Sequence, residues 1–449
     1  MTATIPTIDA SPTKDFFISI ITRDVLLDLA IADLVDNCVD GAIRIRPTGD
    51  YKDLFVKVKF DRDSFSIEDN CGGIEADIAI NYAFRFGRPP GMPETPGSVG
   101  QFGVGMKRSL FKMGNYFGIM SIAPTSDFIL NVDVEDWAKK VDENGKEIWE
   151  FEFEELHTGA SHDMKDCGTT ITVKRLHTPI AEEFEIENFK LRLIESLRSK
   201  HEESLAKGLI IEVGSVTLSH DEAALLLSDE IKPIHVANIV KADGNPPVLI
   251  DIYAGIVEEA NEEATGWYIS CNGRLILKAD KTKVTGWDAT YDEKLIIPKA
   301  HYQFARFRGY VRFHSDSASL LPWNTTKSGL DTESPLYQST KLEMVGAMRQ
   351  VIDFLNKLDA EIDAGEDFLM TAIKTAKPIK IADIPQQSLF IFPTPKASRP
   401  KPKSGNIKYS KPTEEIDLVK DLLGVTTATA VGEGTFDYYL SMEGGNRGR

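Results

Sequence analysis

Three polar side chains recur along one predicted helix and could do chemistry together. In the stretch 24–46, apolar residues recur at helical spacing, which predicts a long amphipathic helix. Asp33, Asn37 and Asp40 follow one another at i, i+4 and i+7, so their side chains lie above one another on a different face. This face offers oxygen atoms that could bind a cation or orient a water molecule. A solvated acidic face is the common alternative.

A predicted β-hairpin delivers a further carboxylate to the end of a strand. Residues 55–60 alternate in polarity and predict one strand, and residues 64–68 predict its return after a turn. Asp69 follows the second strand, and Gly72 and Gly73 follow closely behind it. The hairpin therefore places a carboxylate next to a glycine turn.

A glycine-rich loop leads into the next predicted helix. Residues 86–99 are too rich in proline and glycine for regular structure, and a loop of this length inside a compact domain is often a lid. Gly100, Gly103 and Gly105 then precede a helix-forming run, where backbone N–H groups and the helix N-terminus can approach an anion. Lys107 adds a positive charge. This arrangement suits phosphate, although glycines of turns and packing contacts are also common.

Length and composition exclude several classes of protein. The chain has 449 residues, 42% of them hydrophobic and 27% charged, which predicts a soluble protein of two or three domains. No apolar run is long enough to span a membrane, and a net charge of -18 argues against nucleic-acid binding through the overall field. Cys38, Cys71, Cys167 and Cys271 form no CxxC pair, which favours free thiols in a reducing cytoplasm over a zinc site.

The rest of the N-terminal half predicts an antiparallel sheet covered by helices. The apolar run 16–22 could be a strand or the lead-in to the long helix. Residues 116–175 consist mainly of strand patterns, and residues 183–199 predict a helix.

The C-terminal half predicts a second α/β segment from about residue 208 onwards. Its helix signals are DEAALLLS, at residues 221–228, and the stretch 335–364. Proline, serine and lysine then dominate residues 376–412, which predicts a linker. Residues 413–449 predict a small helical segment.

Four motifs, taken together and in this order, resemble the ATP site of the GHKL superfamily. They are DLVDNCVDGA, IEDNCGGI, GQFGVGMK and CGTTITV. That group includes the ninety-kilodalton heat-shock chaperones, MutL, the ATPase subunits of type II topoisomerases, MORC proteins and histidine kinases. The resemblance covers roughly the first 175 residues. It implies an α/β (α+β) fold, in which a Bergerat-type ATP-binding sandwich of antiparallel sheet and helices occupies residues 1–200.

The resemblance implies a role for each motif residue. Asn37 corresponds to the Mg²⁺ ligand, and Asp40 to the second acid of the helix. Asp69 corresponds to the residue that accepts a hydrogen bond from the exocyclic amine of adenine, and Thr169 to the threonine that supports this contact, through water or directly. A plain strand threonine is the alternative for Thr169. Gly73 corresponds to the glycine that lets the backbone approach the base.

The loop GQFGVGMK corresponds to the phosphate loop and lid hinge of the family. Its implied ATP-contacting residues are Gly100, Gly103, Val104, Gly105 and Lys107.

The sequence departs from the family's pattern at two positions. Asp33 stands where the family usually has the glutamate that acts as general base for the attacking water. Aspartate is one methylene shorter, and a misplacement of about 1 Å can cost on the order of 10²-fold in rate. Cys71 stands where the family commonly has glycine, and its side chain could crowd a ligand. ATP binding is therefore expected, whereas hydrolysis depends on Asp33.

The second segment resembles the transducer domain of MutL and MORC proteins. WYISCNGRLIL matches a strand–turn–strand of that domain, which implies a transducer-like α/β domain at 201–375 with a long C-terminal helix. The family's domain sends a lysine to the γ-phosphate, and Lys327 stands where that lysine is expected. An exposed loop lysine is the alternative. Histidine kinases have no such domain, so a kinase is disfavoured.

Two functions follow from the resemblance as hypotheses. The first is an ATPase that works as a conformational clamp, in which ATP and Mg²⁺ order the lid, close a homodimer through the N-terminal arms and are turned over slowly. The second is a non-hydrolysing nucleotide-binding module that acts through a partner protein or nucleic acid. The basic segment 396–411 is the candidate contact for such a partner, although linker solvation is the commoner reason for such a run.

Overall fold

The computed structural model describes residues 8, 12–23, 25–87, 95–100, 103–291, 296–324, 326–394 and 407–443. Much of the predicted lid, the residue Asp24 at the start of the predicted long helix, and most of the basic segment 396–411 lie outside these residues. The described chain divides into a large unit, Met1–Pro393, and a small unit, Thr394–Arg449.

The helices and strands are numbered in chain order. The helices are α1 Lys14–Arg23, α2 Leu27–Ile45, α3 Ala76–Ile78, α4 Gly105–Met113, α5 Val134–Lys139, α6 Thr178–Phe184, α7 Glu187–Lys200, α8 Glu202–Ala206, α9 Pro335–Asp363, α10 Phe368–Thr375, α11 Thr413–Leu423 and α12 Ala428–Glu443. The strands of the first sheet are β1 Phe55–Phe60, β2 Ser64–Asp69, β3 Gly114–Ala123, β4 Ser126–Asp133, β5 Phe153–Thr158, β6 Gly168–Leu176, β7 Ile210–Val213 and β8 Val216–Thr217. The remaining strands are β9 Ala224–Leu227, β10 Ile234–Val240, β11 Val248–Ile256, β12 Gly266–Cys271, β13 Arg274–Asp280, β14 Ala289–Thr290, β15 Ile296–Ile297, β16 Phe307–Ser315 and β17 Lys377–Lys380.

The first sheet has the order β5-β4-β3-β6-β2-β1-β7-β8. Its neighbouring strands are antiparallel except β1 and β7, which run parallel. Alternate residues, such as Val56 and Val58 of β1, face a core that also contains apolar residues of α2, α4 and α7. This layer of helices on a largely antiparallel sheet confirms the predicted sandwich of sheet and helices.

Helix α2 is the long amphipathic helix that the sequence predicts. It buries Ile31, Leu34 and Cys38, as the spacing of its apolar residues requires. Gly41 lets α2 approach the turn after β2, since a Cβ at this position would lie 2.7 Å from the carbonyl oxygen of Cys71. The apolar run before it forms a separate helix, α1. The buried Lys14 anchors α1 by donating from Nζ to the carbonyl oxygen of Trp137 at 2.5 Å.

The second sheet has the order β10-β11-β16-β12-β13, and the long helix α9 packs on β11 and β16. Large side chains fill the space between them, among them Trp267, Phe307 and Phe354, all fully buried. Strands β7 and β8 belong to the first sheet, so the chain leaves that sheet after Thr217, later than the boundary at residue 200 that the sequence suggests.

Two predictions of local structure are wrong. DEAALLLS contains strand β9, because Leu225 and Leu226 are both buried and the segment pairs with β17, and so short an apolar run shows no helical period. Residues 377–393 are not part of a linker. They form β17 and continue along the edge of the second sheet, where Ile391 and Gln387 bridge to Lys232 and His235.

The small unit contains α11 and α12, which contact each other and bury Val431. No helix in the described ranges is both long enough and apolar enough to cross a membrane.

Candidate functional site

Helix α2, the turn after β2 and the start of α4 surround a cavity of about 470 Å³. Most of the predicted site residues line it. They are Asp33, Asn37, Asp40, Gly73, Gly100, Gly103, Val104, Gly105, Lys107 and Lys327. The fold therefore gathers polar groups from four separate parts of the sequence around one space.

Asp69 and Thr169, the predicted adenine-reading pair, face each other across strands β2 and β6 but are not among the residues that line the cavity. The carboxylate of Asp69 accepts a hydrogen bond from the backbone N–H of Cys71 at 2.7 Å. Burial raises the pKa of Asp69, whereas the hydrogen bonds from Cys71 and from the Cys38 thiol oppose this shift. The cysteine at position 71 thus supplies a backbone donor to Asp69.

The turn after β2 needs glycine for steric reasons. Gly73 has φ +65, and a Cβ on it would lie 2.0 Å from the carbonyl oxygen of Ile122. Arg44 of α2 donates from Nη2 to the carbonyl oxygen of Gly73 at 2.7 Å. Ser121 of β3 accepts from the N–H of Ile74 at 2.7 Å. These contacts hold the turn at the edge of the cavity.

Comparison with known protein families gives a match for the segment that carries most of the residues lining the cavity. Residues 25–169 match the family described as Histidine kinase-, DNA gyrase B-, and HSP90-like ATPase. This segment is a GHKL-type ATPase domain. The match includes α2, the turn after β2, the start of α4 and Thr169, and it ends before the second sheet. No curated protein is significantly similar to the chain.

Asn37 is suited to hold a metal ion in this ATPase domain. Its side chain is exposed and lines the cavity, and its amide makes no hydrogen bond to any residue that the structure describes. Within the same residues no group of three or more His, Cys, Asp or Glu side chains could hold a metal by itself. A single free amide oxygen suits Mg²⁺, because this ion keeps several of its water ligands and is commonly bound by one or two protein groups together with the phosphates of a substrate.

Asp33 is buried and paired with a cation that the sequence did not indicate. Its Oδ2 lies 2.5 Å from Nη2 of Arg108, and the two side chains are 4% and 11% exposed. Helix α4 can come this close because Gly105 has no side chain, since a Cβ on it would lie 3.3 Å from the same oxygen. Ser109 locks the two helices together by donating to the carbonyl oxygen of Ala30 at 2.7 Å.

Asp40 binds the C-terminal end of the predicted lid. Its two carboxylate oxygens accept from the N–H groups of Val99 and Gly100 at 2.6 and 2.7 Å. Burial raises the pKa of Asp40 to about 6, although these two donors and the charge of Lys327 act in the opposite direction.

The second sheet contacts the same piece of chain through one of its turns. Asn272, in the turn between β12 and β13, donates from Nδ2 to the carbonyl oxygen of Ser98 at 2.9 Å. Its Nδ2 also donates to the carbonyl oxygen of Ser315, and its Oδ1 accepts from the N–H of Ser315, both at 3.0 Å. The backbone of Asn272 has φ +46. Val99 packs into the apolar core that the second sheet forms with α9. Residues 98–100 are therefore held between helix α2 and the second sheet.

Replacing Asn272 with glycine is expected to loosen the end of the lid. Glycine keeps the positive φ but removes the donor to Ser98 and the two bonds to Ser315. Of these, the bond to Ser98 reaches the lid, and the loss of one hydrogen bond of about 1 kcal/mol should make the backbone N–H groups of Val99 and Gly100 exchange about fivefold faster. Hydrogen exchange followed by mass spectrometry measures this directly. Asn245→Gly, in the exposed turn between β10 and β11, is the matched control. Equal exchange in both variants would show that Asn272 does not hold the lid.

Lys107 lines the cavity, but its amine is directed at protein carbonyls. Nζ donates to the carbonyl oxygen of Ala83 at 2.8 Å and to that of Gly103. Burial lowers the pKa of Lys107 to about 7, so the amine is partly neutral at neutral pH. The point charge expected for phosphate is therefore weaker here than the sequence suggests.

Lys327 is buried and reaches α2. Its Nζ lies 2.9 Å from Oδ2 of Asp36, although the two residues are 291 positions apart. Arg274 of β13 lies 3.1 Å from the other oxygen of Asp36. Burial alone would raise the pKa of Asp36, but the charges of Arg274 and Lys327 outweigh it and hold this pKa below its ordinary value. Burial, together with the charge of Arg274, lowers the pKa of the neighbouring His201 to about 3, so this imidazole is neutral.

The sequence did not single out Asp36, Arg44, Arg108 or Asn272. Asp36 is adjacent to Asn37 inside the helix motif, and Arg108 is adjacent to Lys107, but nothing in the spacing of either motif indicates that these neighbours take part in the site. The Asn272–Gly273 pair is a turn signal in the sequence, but nothing in it indicates a contact with the lid.

Proposed function

We propose that the ATPase domain binds ATP together with Mg²⁺ in the cavity of about 470 Å³ and hydrolyses it slowly. The observation that carries this proposal is the convergence on one cavity of the residues of the family match with Lys327 of the second domain. Lys327, from outside the matched segment, lines the cavity and would add positive charge beside the end of the phosphate chain.

The residues would divide the work as follows. Asn37 would hold Mg²⁺, which neutralises charge on the phosphates. The glycines at 100, 103 and 105 leave backbone N–H groups open to phosphate at the start of α4. Asp33 would take a proton from the attacking water. Closure of the lid, held at its end by Asp40 and Asn272, would exclude bulk water.

Slow hydrolysis is expected for two reasons. Asp33 is a methylene shorter than the family's glutamate, and its carboxylate is engaged by Arg108 at 2.5 Å. A carboxylate that is bonded to a guanidinium must give up that partner before the same oxygen can accept a proton from water.

Nucleotide-dependent closure of two copies, as in a clamp, is the further part of this proposal. It is supported by the lid, which contacts both domains through Ser98, Val99 and Gly100, so that a change at the phosphates can reach the second domain. The second candidate function, a non-hydrolysing module that contacts a protein or nucleic acid through residues 396–411, is favoured by the Asp33–Arg108 pair.

Isothermal titration calorimetry with ATP in the presence of Mg²⁺ is the primary test, and binding in the micromolar to millimolar range is expected. Phosphate release by Asp33→Asn should fall by about 10² or more, because the general base is lost. Asp33→Glu restores the reach of the base and should equal or exceed the wild-type rate. Light scattering with and without nucleotide tests closure of two copies.

The outcomes separate the two functions. Lack of ATP binding would contradict both. Binding without phosphate release from either the wild type or Asp33→Glu would favour the non-hydrolysing module. Unchanged release by Asp33→Asn would remove Asp33 from the role of base.

A further inference from the structure

Four cationic side chains of the described residues line the cavity, and all four donate to protein oxygens. Arg44 donates to the turn after β2, Lys107 donates to two carbonyls, and Lys327 lies on Asp36. Arg108 is the fourth cation, and it differs from the others in how few of its donors are used.

Arg108 has unused hydrogen-bonding capacity in a buried position. A guanidinium has five N–H donors, and the side-chain contact of Arg108 is the single bond from Nη2 to Asp33 among the residues that the structure describes. Its Nε is buried and has no partner there. A buried donor without a partner costs free energy, so a ligand that supplies acceptors would be stabilised.

The place of Arg108 in the fold limits which ligand that is. The residue lies in the first turns of α4, directly after the glycine loop, where the helix N-terminus favours negative charge. The nucleotide atoms with the greatest charge are the oxygens of the terminal phosphate, and a planar guanidinium matches their geometry.

We propose that Arg108 changes partner when ATP binds, from the carboxylate of Asp33 to the terminal phosphate, and thereby frees Asp33 to act as base. The inference rests on the proposed function of the cavity. In the cycle, the water oxygen forms a bond to the γ-phosphorus, its proton passes to Asp33, and the bond between that phosphorus and the bridging oxygen breaks. ADP and phosphate leave, and the proton passes to solvent. Arg108 then returns to Asp33, so the base is restrained whenever no terminal phosphate is present.

The test compares the affinities of adenylyl imidodiphosphate, a non-hydrolysable ATP analogue, and ADP by calorimetry. Arg108→Gln should weaken the analogue by about tenfold to hundredfold, the loss of a charge-assisted hydrogen bond, and change ADP binding by less than about threefold. Arg108→Lys keeps the positive charge but loses the planar guanidinium with its paired donors, and it should recover part of the selectivity for the analogue over ADP. Lys112→Gln, a cation on the same helix that donates to the carbonyl oxygen of Thr22 and does not line the cavity, should leave the affinity ratio unchanged.

The double variant Arg108→Gln/Asp33→Asn guards against unfolding of the single variant, since it leaves no buried charge of this pair. It should fold and show the same loss of selectivity for the analogue. If the wild type binds both nucleotides and the affinity ratio is unchanged in Arg108→Gln and in the double variant, the partner change is wrong while the proposed function stands. If the wild type binds neither nucleotide, the proposed function fails and the inference fails with it.

Discussion

Replacing Asn37 with alanine is expected to remove the Mg²⁺ dependence of ATP binding and to leave the fold unchanged. The side chain is exposed and its amide has no partner among the described residues, so its loss should cost less than about 0.5 kcal/mol of stability. Mg²⁺ makes few contacts with protein, so no other side chain would replace Asn37 as its ligand. We therefore expect the affinity for ATP in the presence of Mg²⁺ to fall by at least about 10²-fold.

Calorimetric titration with ATP, in Mg²⁺ and in a chelator, measures this effect. The wild type should bind ATP more tightly in Mg²⁺, and Asn37→Ala should bind equally weakly in both conditions. Asn188→Ala, an exposed asparagine in helix α7 away from the cavity, is the matched control and should behave as the wild type does. A variant that keeps the full difference between the two conditions would show that Asn37 does not hold the metal.

Replacing Asp36 with asparagine is expected to cost about 3–5 kcal/mol of stability, the usual effect of leaving a buried charge without its counter-ion. Asp36 and Arg274 are both completely buried, and Lys327 is 9% exposed. The neutral His201 cannot replace the lost negative charge. Chemical denaturation followed by fluorescence measures the change in the free energy of unfolding.

Two comparisons make the result for Asp36 specific. Asp133→Asn breaks a surface pair with Arg175, whose side chain is 48% exposed, and should cost less than about 1 kcal/mol. Asp36→Asn/Arg274→Met removes both buried charges and should recover much of the loss. A small effect of Asp36→Asn, or no recovery in the double variant, would contradict the role of Asp36 as shared counter-ion.

The pH dependence of the stabilisation by Asp36 follows from the direction in which folding shifts the pKa of this residue. The folded-state pKa of Asp36 lies below its ordinary value, so the stabilisation is present at neutral pH and is lost only as the pH falls through that lowered value. Ionisation of Asp40 has the opposite effect on the stability of the fold. Its folded-state pKa of about 6 is raised, so its ionisation lowers stability as the pH rises from about 4 to 6.

The sequence predicts those parts of the site that are determined by residues close together in the chain. The spacing of Asp33, Asn37 and Asp40 places them on one helix face, and Gly73 is needed by a turn that a Cβ would block. The sandwich of sheet and helices was also predictable, because alternating strands and an amphipathic helix are local patterns.

The partners of those residues could not be predicted, because they come from distant parts of the chain. Arg108 is 75 positions from Asp33, and Asn272 is 174 positions from Ser98. Helix propensity also gave the wrong structure for the segment around Leu225, since pairing with β17 outweighs it. Such contacts are decided by tertiary packing, and no local pattern in the sequence reports them.

The bond between Lys327 and Asp36 has a consequence for the order in which the protein can mature on the ribosome. Helix α2 emerges early, but β7, the parallel neighbour of β1, is made much later, and Lys327 follows Asp36 by 291 positions. Contacts of such long range form slowly, and N-terminal segments emerge first. Until then Asp36 lacks the two cations, Arg274 and Lys327, that pair with it in the folded chain. A nascent chain should therefore complete this cavity only after the segment that carries Lys327 has been synthesised.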